Sequence, residues 1–212
     1  MSFSTRVYSI TKRLLDLVVA GLALLTLSPF LAVVALMIWR HDRGPIFYRA
    51  RRVGRSGVPF TMLKFRTMVL NADKLGASST ADDDPRITRL GKFLRRYKLD
   101  ELPQLGNVFG GSMSLVGPRP QVQWAVDLYS AEERQVLSVQ PGITDYASLH
   151  FPNEGEILKG SADPDRDYME KIHPRKMQLA LRYVRERSLG TDLKILVQTV
   201  AMVLGWSQAA RE

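Results

Sequence analysis

The sequence predicts an α+β protein, with an N-terminal membrane-associated helix followed by a mostly helical body carrying a small β element. Three observations predict it. Residues 17–38 form one apolar run without a charge, residues 44–68 alternate turn signals with short strand-like stretches, and the second half is mostly of helical spacing. At 212 residues the chain suits one ordinary domain with an appendage. The boundary falls between a membrane segment, 1–43, and a folded body, 44–212.

The apolar run LVVAGLALLTLSPFLAVVALMI has Lys12 and Arg13 before it and Arg40 and Arg43 after it. It matches the roughly 20 residues that cross a bilayer core. It is longer than the apolar part of a signal peptide, and apolar on every face, unlike a soluble surface helix. Ser28-Pro29 lies at its centre. Pro29 removes the hydrogen bond to the Leu25 carbonyl, at a cost of ~3 kcal/mol unless the helix bends. Ser28 is placed to bond a freed carbonyl. Each half, Leu17–Leu27 and Phe30–Trp39, reaches about 15 Å, half the hydrocarbon thickness. Cations on both flanks favour both ends on the cytoplasmic side. A helix that enters, turns at Ser28-Pro29 and leaves on the same face satisfies these facts; a kinked span satisfies most of them.

After the membrane segment, Gly44-Pro45 and Gly54-Arg55-Ser56-Gly57 are turn signals bracketing the strand-like Ile46-Phe47-Tyr48. In the stretch Phe60–Met68, Lys64 and Arg66 would share one strand face. Asn71–Asp84 reads as a flexible polar loop. A helical pattern follows through Leu90, Phe93, Leu94 and Tyr97, with Arg89, Lys92, Arg95 and Arg96 on its other face. Gln121–Gln140 has helical spacing and stops at Pro141-Gly142-Ile143-Thr144. Tyr168–Arg187 reads as a basic helix with Met177, Leu181 and Val184 on its apolar stripe. Leu193–Trp206 suits the core or a lipid interface, with Trp206 at headgroup level.

Composition narrows the chemistry. The chain has no cysteine, and its three histidines are scattered, which disfavours disulfides and a zinc enzyme. A net charge of +9 calls for an anionic partner: an acidic lipid surface, a phosphorylated substrate or nucleic acid. There is no P-loop and no G-x-G-x-x-G, so nucleotide binding would follow another route.

The stretch Lys98-Leu99-Asp100-Glu101-Leu102-Pro103-Gln104-Leu105 puts two carboxylates between a basic segment and a proline. Pro103 suggests a helix beginning near Asp100, with Asp100 as N-cap and Glu101 in the first turn, where the dipole lowers carboxylate pKa values. Alone, this is an ordinary cap. Downstream, Gly117-Pro118-Arg119-Pro120 holds an arginine between two prolines, which suits a stiff turn or a guanidinium pre-organised for a diphosphate.

Taken together, the chain resembles the small monotopic polyprenyl-phosphate phosphoglycosyl transferases of bacteria. The resemblance rests on the order of Ser28-Pro29, Leu63-Lys64-Phe65-Arg66-Thr67-Met68, Asp84-Pro85-Arg86-Ile87-Thr88, Leu99-Asp100-Glu101-Leu102-Pro103-Gln104, Ser114-Leu115-Val116-Gly117-Pro118-Arg119-Pro120 and Pro141-Gly142-Ile143-Thr144. It implies transfer of a phosphosugar from a UDP-sugar to polyprenyl phosphate, usually undecaprenyl phosphate, with release of UMP. It also implies a re-entrant membrane helix on the cytoplasmic face of the bacterial inner membrane, and a cytosolic catalytic domain with interfacial helices. By motif match, Asp100 would be the nucleophile and Glu101 its partner and Mg2+ ligand. Lys64, Arg66, Arg95 and Pro118-Arg119-Pro120 would contact phosphate and nucleotide. UDP-sugar, polyprenyl phosphate and membrane lipid are the expected partners, and nucleic acid is not. The stretch Thr144-Asp145-Tyr146-Ala147-Ser148 departs from the usual Thr-Gly-x-Ala-Gln, with a bearing on sugar choice.

A non-catalytic, membrane-tethered basic module binding anionic lipid or nucleic acid is the alternative. It explains the charge and the apolar run, but not adjacent carboxylates beside a proline-bracketed arginine.

Overall fold

The structure is a computed structural model that describes residues 3–205. It is α+β and mostly helical, with two small two-stranded sheets. Helix α1 runs from Phe3 to Asp42. Strands β1 (Phe47–Val53) and β2 (Pro59–Phe65) form an antiparallel hairpin whose register pairs Ala50 with Met62. Helices α2 (Arg89–Arg96) and α3 (Gln104–Phe109) follow, then β3 (Ser114–Val116) and α4 (Gln123–Asp127). Strand β4 (Gly142–Thr144) pairs in parallel with β3. The chain ends in α5 (Tyr146–His150), α6 (Glu154–Ile157), α7 (Pro164–Asp167), α8 (His173–Glu186) and α9 (Leu189–Val203).

Helix α1 is 40 residues long and continues through Pro29, so the two half-helices read from the sequence are one helix. The side chains around Pro29 explain the continuity. Ser28 Oγ donates to the Leu25 carbonyl at 2.8 Å, the very group that proline leaves unpaired, and Thr26 Oγ1 donates to the Leu22 carbonyl at 2.9 Å. The helix is apolar all round because it serves two surroundings. Ala20, Ala23, Leu24, Leu27, Leu31, Val34, Ala35 and Ile38 recur at helical spacing and pack on the folded body, on both sides of Pro29. Leu22, Leu25, Val33, Leu36 and Met37 on other faces stay exposed. Only 11% of its most apolar stretch is buried inside the fold, whereas a core helix would be mostly covered.

Both ends of α1 are fastened to the same body. Near the N-terminal end, Lys12 Nζ meets Asp192 Oδ2 at 2.9 Å, and Tyr8 donates to the same oxygen at 3.0 Å. Arg13 donates to the Val108 and Phe109 carbonyls, and the buried Asp16 accepts from Ser114 Oγ at 2.7 Å and Leu115 N at 3.1 Å. At the other end, Asp42 pairs with Arg66.

Other expectations need correction. Gln121–Gln140 is broken into the short α4 and a 3-10 segment Glu133–Ser138, each burying its own apolar residue, Val126 or Val136. The loop Asn71–Asp84 is braced: Arg86 pairs with Asp84 and donates to the Ala72 and Ala77 carbonyls. The α8 stripe is as expected, with Met177 and Leu181 buried, although the residues just before α8, Tyr168–Ile172, form a π-helical turn. Helix α9 buries Asp192 and Ile195 and exposes Leu193, Val197, Val200 and Leu204 just beyond its end, which suits core and interface at once; Trp206 lies outside the described residues.

Candidate active site

Three segments bring their charged residues together on Glu101. The first is β2, which carries Lys64. Asn107 of α3 fastens that strand on both sides of Met62, accepting from Leu63 N at 2.8 Å and donating to the Thr61 carbonyl at 2.7 Å. The turn leading into α3 therefore lies over Lys64, whose Nζ sits 2.9 Å from Glu101 Oε1.

That turn is the second segment. Lys98 adopts a left-handed conformation (φ 57°), and Leu99–Glu101 then form a single 3-10 turn ahead of α3. The expectation that Asp100 caps a helix is overturned. Helix α3 begins at Gln104, its preceding residue is Pro103, and Asp100 makes no capping hydrogen bond. With no helix starting at Asp100, no helix dipole lowers its pKa.

The third segment is the strap between β3 and β4. Gly117 N donates to the Thr144 carbonyl and Gly142 N to the Pro118 carbonyl, both at 3.0 Å. The backbones approach so closely that a Cβ on Gly142 would run into the backbone of Gly117. Pro118 and Pro120 are buried and Arg119 between them is partly exposed. Arg119 grips Glu101 through both terminal nitrogens: Nη1 is 3.0 Å from Oε2, and Nη2 bonds Oε1.

The two carboxylates differ sharply. Burial pushes Glu101 up, but Arg119 and Lys64 outweigh it and hold the group well below the usual carboxylate range. Arg119, penalised by burial, is raised further by Glu101, and by Glu154 and Asp145. Lys64 is lowered, since burial exceeds the help of Glu101. Asp100 is 5% exposed, and among the described residues its carboxylate has no hydrogen-bond partner. Burial raises its pKa; Lys64 opposes this, Glu101 adds to it, and Arg95 and Lys98 oppose it. Chemically, this is a locked carboxylate beside an uncommitted one, inside a basic surround.

Of the residues singled out from the sequence, Lys64, Asp100, Glu101, Arg119 and the flanking prolines come together, and the charge of Arg95 acts on Asp100. Arg66 does not join them. Regular pairing ends at Phe65, and the Arg66 guanidinium is taken by Asp42 at the end of α1. Ser28 and Pro29 act within α1. In the divergent stretch, Asp145 caps α5 and its Oδ1 accepts from Ser148 N at 2.7 Å and Ser148 Oγ at 2.8 Å, so the two unusual residues bond each other, while Asp145 Oδ2 is buried without a partner among the described residues.

Sequence reasoning missed the part-buried pair Lys176–Glu154, at 2.6 Å, whose charges both act on Arg119. A signal was available. Lys176 falls on the helical face of His173, Ala180 and Tyr183, where a cation is out of place.

Among the described residues no three His, Asp or Glu side chains are grouped to hold a metal ion. Two adjacent carboxylates still suit Mg2+, which commonly takes one or two carboxylates and completes its shell with water and substrate phosphate.

Comparison with known proteins gives the family. The family model described as bacterial sugar transferase matches residues 7–206. The chain is 38% identical over 206 residues to a UDP-glucose:undecaprenyl-phosphate glucose-1-phosphate transferase of Xanthomonas campestris pv. campestris, covering 95% of this chain and 40% of that protein. It is 39% identical to the Escherichia coli (strain K12) protein of the same name, covering 89% of this chain and 39% of that one. With the exopolysaccharide production protein ExoY of Sinorhizobium fredii (strain NBRC 101917 / NGR234) it shares 35% identity, over 92% of this chain and 85% of that protein. The chain thus spans about two-fifths of the length of the first two relatives. A match over residues 7–206, nearly the whole chain, leaves one assignment: the chain belongs to the bacterial sugar transferase family.

Proposed function

We propose that the chain transfers a phosphosugar from a UDP-sugar to a polyprenyl phosphate, with undecaprenyl phosphate the acceptor suggested by the relatives' names, and releases UMP. The observation that carries the mechanism is the asymmetry of the two carboxylates: Glu101 bound by Lys64 and Arg119, Asp100 buried and uncommitted. An Asp100 oxygen attacks the sugar-bearing phosphorus, the bond from that phosphorus to the UMP oxygen breaks, and UMP leaves with the electron pair. The polyprenyl phosphate oxygen then attacks the same phosphorus and frees the Asp100 carboxylate. One difficult transfer becomes two easier ones.

Lys64, Arg95 and Arg119 offset the repulsion between a carboxylate and a diphosphate. Glu101 is the residue that would hold Mg2+, with Asp100 adjacent, and the bound ion supplies further positive charge at the diphosphate. The strap through Gly117-Pro118 orients the Arg119 guanidinium before substrate arrives, so little side-chain freedom is lost on binding.

The membrane reading is monotopic: α1 enters one leaflet, and both its flanks stay on the cytoplasmic side with the catalytic domain. The two-ended docking of α1 supports this. A span would put these two docked flanks on opposite sides of ~30 Å of hydrocarbon, and the polar body bonded to both would have to lie within it. The outward apolar residues of α1 and α9 then face lipid, and the active site lies near an acceptor whose phosphate is at the interface. No observation favours the non-catalytic alternative.

The test is UMP release by purified protein with Mg2+, undecaprenyl phosphate and a panel of UDP-sugars, with Asp100→Asn alongside. UMP should appear with at least one sugar, fail with the mutant and stop on chelation of Mg2+. Unchanged turnover in Asp100→Asn would overturn the mechanism.

A further inference from the structure

The hairpin face that carries Lys64 also carries a cation that the mechanism above does not use: the pair Arg52–Phe60 follows Tyr48–Lys64 and Ala50–Met62 along it. Arg52 is the penultimate residue of β1, and the next residue, Val53, donates its N–H to the Gln121 carbonyl at 2.9 Å. The end of β1 is therefore laced to the residue following Pro120. Arg52 is partly buried, yet among the described residues it pairs with no carboxylate; its Nη1 donates to the Arg51 carbonyl at 2.9 Å. Burial penalises its charge and so does Arg119, while Tyr48 and Tyr168 favour it. A cation in a partly desolvated place with no carboxylate partner is a cost to the fold unless an anion joins it.

Tyr168 adds the second observation. Its side chain is 6% exposed, and its hydroxyl is buried with no hydrogen-bond partner. A buried hydroxyl without a partner is an exception that calls for one. The ring is fixed from one side by Lys176, whose Nζ lies 5.2 Å from the ring centroid and is itself held by Glu154 at 2.6 Å.

We propose that Arg52 and the Tyr168 hydroxyl, together with Arg119, bind the nucleoside 5′-phosphate half of the donor, holding the leaving UMP while Asp100 takes the sugar-bearing phosphate. The order of the groups supplies the direction. Lys64 and Arg119 both bond Glu101, the neighbour of Asp100, whereas Arg52 lies two residue pairs along the same hairpin face from Lys64, at the end of β1 that bonds Gln121. The attacked phosphorus belongs at the Asp100 end, so the departing phosphate belongs at the Arg52 end. Arg52 donates charge-assisted hydrogen bonds to its oxygens, and Tyr168 gains the acceptor it lacks.

This inference rests on the transferase reading, and the experiment separates the two. UMP binding to the full chain in detergent with Mg2+ is measured by calorimetry for wild type, Arg52→Gln, Tyr168→Phe and Arg55→Gln, the last an exposed cation of the β1–β2 turn with the same charge change. Arg52→Gln should weaken UMP roughly tenfold or more, and Tyr168→Phe, which keeps the ring, about threefold or more. Arg55→Gln should bind as wild type. In turnover assays KM for the UDP-sugar should rise by similar factors while KM for polyprenyl phosphate stays constant, a split that general loss of structure does not produce. If wild type binds UMP and both Arg52→Gln and Tyr168→Phe bind it equally well, the nucleotide site is wrong and the transferase reading stands. If wild type neither binds nor releases UMP, the transferase reading itself fails.

Discussion

Arg119 and Glu101, 18 residues apart, meet through two parallel contacts, Nη1 to Oε2 at 3.0 Å and Nη2 to Oε1. This geometry depends on a planar fork, which lysine lacks. Arg119→Lys keeps the charge and loses the second contact, so Glu101 is less firmly held and the diphosphate less well oriented. We expect kcat/KM for UMP release to fall about 10- to 100-fold, with thermal stability nearly kept. Wild-type turnover in the lysine variant would remove Arg119 from the mechanism.

The pH dependence follows from Asp100. Burial raises its pKa above the ordinary 3.8, with Lys64 the leading opposing charge. The attacking form is the carboxylate, so kcat/KM should rise with pH through that raised pKa and level off above it. Lys64→Met removes the opposing charge and should move the acid limb to higher pH, besides lowering the plateau. A limb that stays in place would mean that another group sets it.

The same shift makes a stability prediction of definite sign. A carboxyl whose folded pKa exceeds its unfolded one stabilises the fold below the unfolded pKa, and that contribution is lost as pH rises through the folded pKa. At pH 7.5 Asp100 is thus a burden, and Asp100→Asn should raise Tm while abolishing turnover. Glu101 has the opposite sign: its folded pKa is depressed, so its contribution is present above the ordinary carboxylate value and lost as pH falls through the folded one. Glu101→Gln should therefore lower Tm at pH 7.5. Calorimetric scans of both variants check the pair of signs.

Much of this site was legible because its chemistry is local in sequence. The carboxylate pair, the proline-bracketed arginine and the serine before Pro29 each announce themselves within a few residues, and each acts at its own place. Misreadings arose where tertiary contacts decide. Pro103 implied a helix starting at Asp100, yet the left-handed Lys98 spends those residues on a 3-10 turn. Arg66 shares a strand pattern with Lys64, but the strand stops one residue short of it and Asp42, 24 residues away, takes the charge. Glu154 and Tyr168 lie on short helical segments whose packing no local pattern reveals.

Asp192 anchors the N-terminal part of α1. It accepts from Tyr8, Lys12 and, at 2.7 Å, Tyr183, so three donors depend on one carboxylate. Asp192→Ala strands a largely buried ammonium and the Tyr8 hydroxyl, Tyr183 keeping the Val116 carbonyl at 3.1 Å, and should cost about 3–5 kcal/mol. Tyr8→Phe removes a single hydrogen bond and should cost about 1 kcal/mol. Unfolding in a fixed detergent would compare them; equal losses would mean that the cluster is not the anchor.

The placement of α1 is open to direct labelling because the chain has no native cysteine. Arg6 lies ahead of the apolar run, and Arg55 lies in the β1–β2 turn of the folded body; both are exposed. In a spanning helix, Arg6 would lie across the bilayer from Arg55, and the bonds of Lys12, Arg13 and Asp16 to α9, α3 and β3 could not form. In the monotopic arrangement those bonds persist and both sites face the cytoplasm. Arg6→Cys and Arg55→Cys in intact cells should both resist a membrane-impermeant maleimide and both react once the inner membrane is opened. Reaction of Arg6→Cys alone in intact cells would place that end outside and reject the monotopic reading, together with the claim that docking of both flanks holds the active site at the acceptor.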